Sequence, residues 1–191
     1  MSSSSEWGQQ QGGRAHAGRF WLLRHGETAD NRRGVRCGGD VDVPLTPRGE
    51  QQARSVALQL AGLGVGLIVA APLLRTRGTA EIVAAALGGI PVMLEPLFVE
   101  RALGAWNGRP IAATEPLLRS GQTPPGGESE AGFRARIERA LDALRPLLPR
   151  RPLVVSSKGV ARVLGAIVGA TPRPSADNAE LITFTLPAAE D

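Results

Sequence analysis

Cysteine occurs once in this 191-residue chain, at Cys37, and histidine only twice, at His16 and His25. A lone cysteine excludes an internal disulfide and suits a reducing compartment, so a cytoplasmic protein is expected. So few histidines and cysteines cannot build a clustered metal site, and none is expected. Aromatic residues make up 4% of the chain and no run of arginines exceeds two, which leaves no stripe for nucleic acid. No stretch approaches the roughly 20 continuous apolar residues of a membrane span. Residues 1–18 are dominated by Ser, Gln and Gly and cannot bury enough surface to offset their ordering entropy. They are expected to form a disordered arm, and they lack the charged-then-apolar pattern of a secretory signal.

What is present suits one compact domain over residues 19–191. Apolar residues are 42% of the chain, enough for a single core. The net charge of +4, carried almost entirely by arginine, fits an anionic small-molecule substrate, because a positive cleft raises its local concentration. Short apolar runs at 19–23, 67–71, 91–95, 153–156 and 181–186 predict five strands. Helical patterns lie between them. One opens at Thr46 with Pro47 just inside it and carries Ala53, Val56, Ala57 and Leu60 on one face. Others span 72–87, ended by Gly88 and Gly89, and 129–148. The last follows the fourth strand and includes Val160, Val163, Leu164 and Ile167. Alternating strands and helices predict an α/β fold, a three-layer α/β/α sandwich with a mostly parallel sheet. Ligands in such sheets sit beyond the carboxyl ends of the strands, which brings 24–28 and 156–159 to one rim. Segments 33–45 and 120–128 are expected to be ordered loops over that rim.

The first strand runs directly into Arg24-His25-Gly26-Glu27-Thr28. Phosphoryl transfer through histidine needs a neutral imidazole nitrogen, a cation for the equatorial oxygens and backbone that permits close approach. His25, Arg24 and Gly26 supply these in one turn. By chance, five specified residues in a chain of this length arise with a probability on the order of 10⁻⁴.

That motif, with others in order along 20–186, resembles the histidine phosphatase superfamily, the group of phosphoglycerate mutases and α-ribazole phosphatases. Arg24 to Thr28 matches its RHGET signature, with Asn31 where the family carries an asparagine near the phosphate. Asp42 to Gly49 with Gln52-Ala53 matches DxPLTxxGxxQA, and Pro72 to Arg75 with Thr79-Ala80 matches PLxRxxxTA. Glu100 to Gly108 resembles ExxxGxWxG, and Pro125 to Ser129 resembles PGGES. The resemblance implies a phosphoglycerate mutase-like fold and a phosphomonoesterase that needs no cofactor. It implies that His25 accepts the phosphoryl group, that Arg24 and Arg75 clamp its oxygens, and that Glu100 exchanges the proton of the leaving group and of water. Arg75 could otherwise be a solvated helix-end charge, Glu100 a partner of Arg101 or Arg109, and Thr28 and Asn31 turn residues bonded to their own backbone.

One position departs from the family. After its fourth strand the family carries a second histidine, a donor to the phosphoryl oxygens; alignment through Val155, Val160 and Arg162 puts Ser157 there, followed by Lys158. Loss of such a donor costs roughly 10²- to 10³-fold in rate. Ser157 could give a neutral hydrogen bond, and Lys158 could restore charge if it folds inward or remain a solvated lysine. Three functions follow: a phosphatase of small phosphomonoesters, of reduced activity; a non-catalytic binder of a phosphorylated ligand or protein; or an enzyme with other chemistry in the same anion pocket. The oligomeric state and the particular substrate are left open.

Overall fold

The computed structural model describes residues 18–169 and 176–186. The expected arm therefore lies outside the described residues, except that Gly18 already belongs to the first strand. Five strands form one sheet: β1 (Gly18–Arg24), β2 (Leu67–Ala70), β3 (Val92–Leu94), β4 (Pro152–Ser156) and β5 (Leu181–Leu186). Their order is β3-β2-β4-β1-β5, and only β5, at the edge beside β1, runs antiparallel. All five occupy the predicted runs to within two residues.

Alternation along the buried strands builds two cores, one on each face of the sheet. Phe20 and Leu22 of β1 point to one face, with Phe184 of β5, Val154 of β4, Phe133 and Ile137 of α5 (Glu130–Leu144), and Val160 and Leu164 of α6 (Lys158–Ile167). Trp21 and Leu23 point to the other, with Val56 and Leu60 of α2 (Pro47–Leu60) and Ala80 and Val83 of α3 (Leu74–Ala86). This is the three-layer α/β/α arrangement predicted from the sequence.

Helix ends depart from the periodic pattern where local chemistry intervenes. The predicted 129–148 helix stops at Leu144 and continues as 3₁₀ turns over Arg145–Arg150, because Pro146 and Pro149 offer no N–H to an α-helical ladder. The 72–87 helix begins at Leu74, whose N–H is capped by the Asp42 carboxylate at 2.7 Å, from 32 residues away. Two helices were not foreseen. The short α1 (Ala29–Arg33) is too brief to show a period, and α4 (Ile111–Arg119) contains Pro116. Among the described residues no helix is long and apolar enough to cross a membrane.

Candidate active site

At the carboxyl rim of the sheet, β1 delivers Arg24 and His25 beside Ser156, the last residue of the neighbouring parallel strand β4, and Ser157, which follows it. Arg24 is in register with Ser156, and the His25 N–H donates to the Ser156 carbonyl at 2.9 Å. The imidazole is buried, and its Nδ1 lies 2.8 Å from the Gly26 carbonyl, which can only accept. Nδ1 therefore carries the proton and Nε2 keeps its lone pair. Burial first, then the charges of Arg75 and Arg24, push the imidazole down to about 3, against a small upward pull from the Gly26 carbonyl. At neutral pH His25 is an uncharged imidazole among cations.

The sequence motifs beyond RHG hold this turn in place. Thr46, the N-cap of α2, donates to the Glu27 carboxylate at 2.8 Å and accepts from the Gly49 N–H at 3.1 Å. The Glu27 N–H donates to Gln52 Oε1 at 2.8 Å, and the Gly26 N–H to Thr79 Oγ1 at 3.1 Å. Gly26 and Gly49 pack backbone on backbone: a Cβ on Gly26 would lie 2.3 Å from the Gly49 carbonyl oxygen.

Arg75, in the first turn of α3, is 1% exposed, so it is no solvated helix-end charge. Its guanidinium donates to the carbonyls of Val41 and Gly38 at 2.8 and 3.0 Å, which anchors the 33–45 loop and leaves further N–H donors. Arg24 donates to the Ala176 carbonyl at 2.6 Å. Burial lowers its basicity against the opposing fields of Glu100, Asp177 and Glu180.

Glu100 makes no ion pair with Arg101 or Arg109. Its carboxylate accepts from the Arg101 N–H at 2.7 Å and from the Gly159 N–H, in the first turn of α6, at 2.9 Å. A Cβ on Gly159 would lie 2.1 Å from Glu100 Oε1, so any larger residue there must push the Glu100 carboxylate from its place. The 97–100 segment that carries Glu100 is held by Arg136 of α5, which donates to the carbonyls of Leu97, Val99 and Glu100 and pairs with Glu128 through two nitrogens. Ser157 is buried, stands at the N-cap of α6 and makes no side-chain cap bond. Lys158 is exposed.

Thr28 and Asn31 form a reciprocal capping box at the start of α1, the turn role the sequence allowed. Asn31 Oδ1 also accepts from Asn178 Nδ2 at 3.0 Å. Three donors on one oxygen settle the amide orientation, and its NH₂ is then the group available to a ligand. Asn178 further donates to the His25 carbonyl at 3.1 Å. Sequence reasoning missed Asn178 and Arg136; neither belongs to a motif, and only the fold brings 178 against 25 and 31. The half-buried Cys37 thiol is pushed up to about 11, by burial above all, so it is no thiolate competitor. Among the described residues no cluster of three or more His, Cys, Asp or Glu could hold a metal.

Residues 20–186 match the model of the histidine phosphatase superfamily (branch 1). "Probable phosphoglycerate mutase GpmB" of Erwinia tasmaniensis is 38% identical over 159 residues, covering 78% of this chain and 72% of that protein. A Thermus thermophilus structure is 33% identical with a TM-score of 0.70, covering 86% of this chain and 92% of that one. A mycobacterial glucosyl-3-phosphoglycerate phosphatase, solved with VO3, is 27% identical with a TM-score of 0.74, covering 87% and 90%.

Proposed function

The chain belongs to branch 1 of the histidine phosphatase superfamily, and we propose that it hydrolyses a small phosphomonoester through a phosphohistidine formed at His25. The observation that carries this is the buried, uncharged imidazole whose Nδ1–H is tied to the Gly26 carbonyl while Arg24 and Arg75 lend positive charge around it. Nε2 attacks phosphorus and forms the N–P bond as the ester O–P bond breaks. The Glu100 carboxyl group passes a proton to the leaving oxygen, and the carboxylate so formed is held by the N–H groups of Arg101 and Gly159. Water then attacks the phosphohistidine, Glu100 takes a proton from it, the N–P bond breaks and phosphate departs, which returns the neutral imidazole. Arg24 and Arg75 hold the equatorial oxygens, with the Asn31 amide as a further donor.

Hydrolysis is favoured over mutase chemistry because only 27 residues separate Glu100 from Glu128. That is little chain for a lid that excludes water while an intermediate turns over. Arg101 ties part of this stretch down, donating to the carbonyls of Glu128 and Gln122. The relatives' names include both a mutase and a phosphatase.

Phosphate release from a panel of phosphomonoesters, beside His25→Ala, tests the reading. The expected result is turnover by the wild type, none by His25→Ala, and an acid-labile, base-stable phosphoprotein on rapid quench. Equal silence of both proteins, with turnover appearing only in Ser157→His, would assign the chain to ligand binding without turnover, which Ser157 in place of an imidazole favours.

A further inference from the structure

Two buried side-chain polar atoms among the described residues have no hydrogen-bond partner: Oγ of Ser157 and Nε of Arg24. A folded protein leaves few such atoms, because an unpaired buried donor keeps its full desolvation cost. Both belong to the same rim. Arg24 is in register with Ser156, so Ser157 stands one residue further along, beside His25. The N-cap geometry that would normally engage a serine hydroxyl is present, with Ser157 extended at φ −133 and ψ 172, yet its Oγ takes no backbone N–H of α6. The N–H of Gly159, in that first turn, is taken by Glu100 instead.

We propose that Ser157 Oγ and Arg24 Nε are a matched pair of donors for one oxyanion, so that Ser157 is a catalytic residue contacting the phosphoryl oxygens. This rests on the phosphohistidine reading above and adds to it a neutral donor where an imidazole would titrate. The charged and titratable groups around this rim are Arg24 at the end of β1, His25 just after it and Arg75 of α3, with Glu100, Asp177 and Glu180 acting on Arg24. Lys158 is the adjoining charge on α6. A hydroxyl does not change protonation across the physiological range, so the Ser157 contribution to anion binding is the same at pH 5.5 as at pH 8.

The test is calorimetric titration with sulfate, a dianion throughout that range, at fixed ionic strength. Wild type, Ser157→Ala and Ser157→His are compared at several pH values. The Ser157→Ala protein is expected to bind sulfate roughly tenfold more weakly, by the same factor at every pH, as loss of a hydrogen bond to a charged acceptor requires. Its ligand-free melting temperature should be equal to or above that of the wild type, since it loses only an unpaired hydroxyl; a structural hydroxyl would lower it. The Ser157→His to wild-type affinity ratio should fall as pH rises through the imidazole range, and referring it to the wild type cancels the contribution of Glu100. Wild-type binding with less than a twofold change in Ser157→Ala overturns this inference and leaves the phosphohistidine reading standing. No sulfate uptake by wild type at any pH overturns both.

Discussion

His25 shows how one side chain couples chemistry to stability. Its folded value of about 3 lies below the 6.5 of an ordinary imidazole. Between these values the unfolded chain binds the extra proton, so stability that is complete above pH 6.5 is lost progressively as pH falls toward 3. At pH 5 the loss through this group alone is about 2 kcal/mol. Urea denaturation from pH 7.5 to 5 should therefore show a shallower decline in His25→Asn than in the wild type, by about that amount. Asn178 is a positioning residue: it touches the His25 carbonyl and the Asn31 amide oxygen and has no reason to touch substrate. Asn178→Ala should lower kcat on the order of tenfold with a smaller change in KM, because it loosens the aim of the imidazole rather than the grip on the ligand.

Among elements, the meeting of α6 with Glu100 is the most exacting. The carboxylate occupies the first turn of α6, where backbone N–H groups point outward and the helix dipole favours negative charge. Gly159→Ala would drive a methyl into that carboxylate, yet the atoms displaced are the end of a flexible side chain and not backbone. The expected result is a fall in kcat/KM of on the order of 10²-fold with an unchanged thermal midpoint, measured by steady-state kinetics beside a melting curve. The α2 and α3 starts serve the site in the same way. Thr46, Gln52 and Thr79 all hydrogen-bond to the 26–27 backbone or side chain, so these motifs are a clamp around the turn that follows His25. Their spacing was visible in the chain, whereas what they clamp was not.

The whole molecule sets the rim by stacking two cores against one sheet. Phe133 of α5 is fully buried among Phe20, Leu22 and Val154, and the Arg136 guanidinium lies over its ring with 5.0 Å to the centroid. Phe133→Ala should cost ~3–5 kcal/mol in a denaturant titration. It should also lower activity, since Arg136 holds the 97–100 segment that carries Glu100.

Strand and helix periods, the cap residue Thr46 and the RHGET turn are local properties, written in neighbouring residues and readable one after another. They determined the five strands, four of the six helices and the two-layer cover of the sheet, and they singled out His25 as the candidate nucleophile. The tertiary structure alone decided whether distant charges meet. Arg75 became a buried cation when the 33–45 loop offered it two carbonyls, and Glu100 became a capped carboxylate when α6 brought Gly159 beside it. Those outcomes depend on desolvation and on contacts between residues tens of positions apart. Both are set by the packed fold, which no local period of the chain encodes.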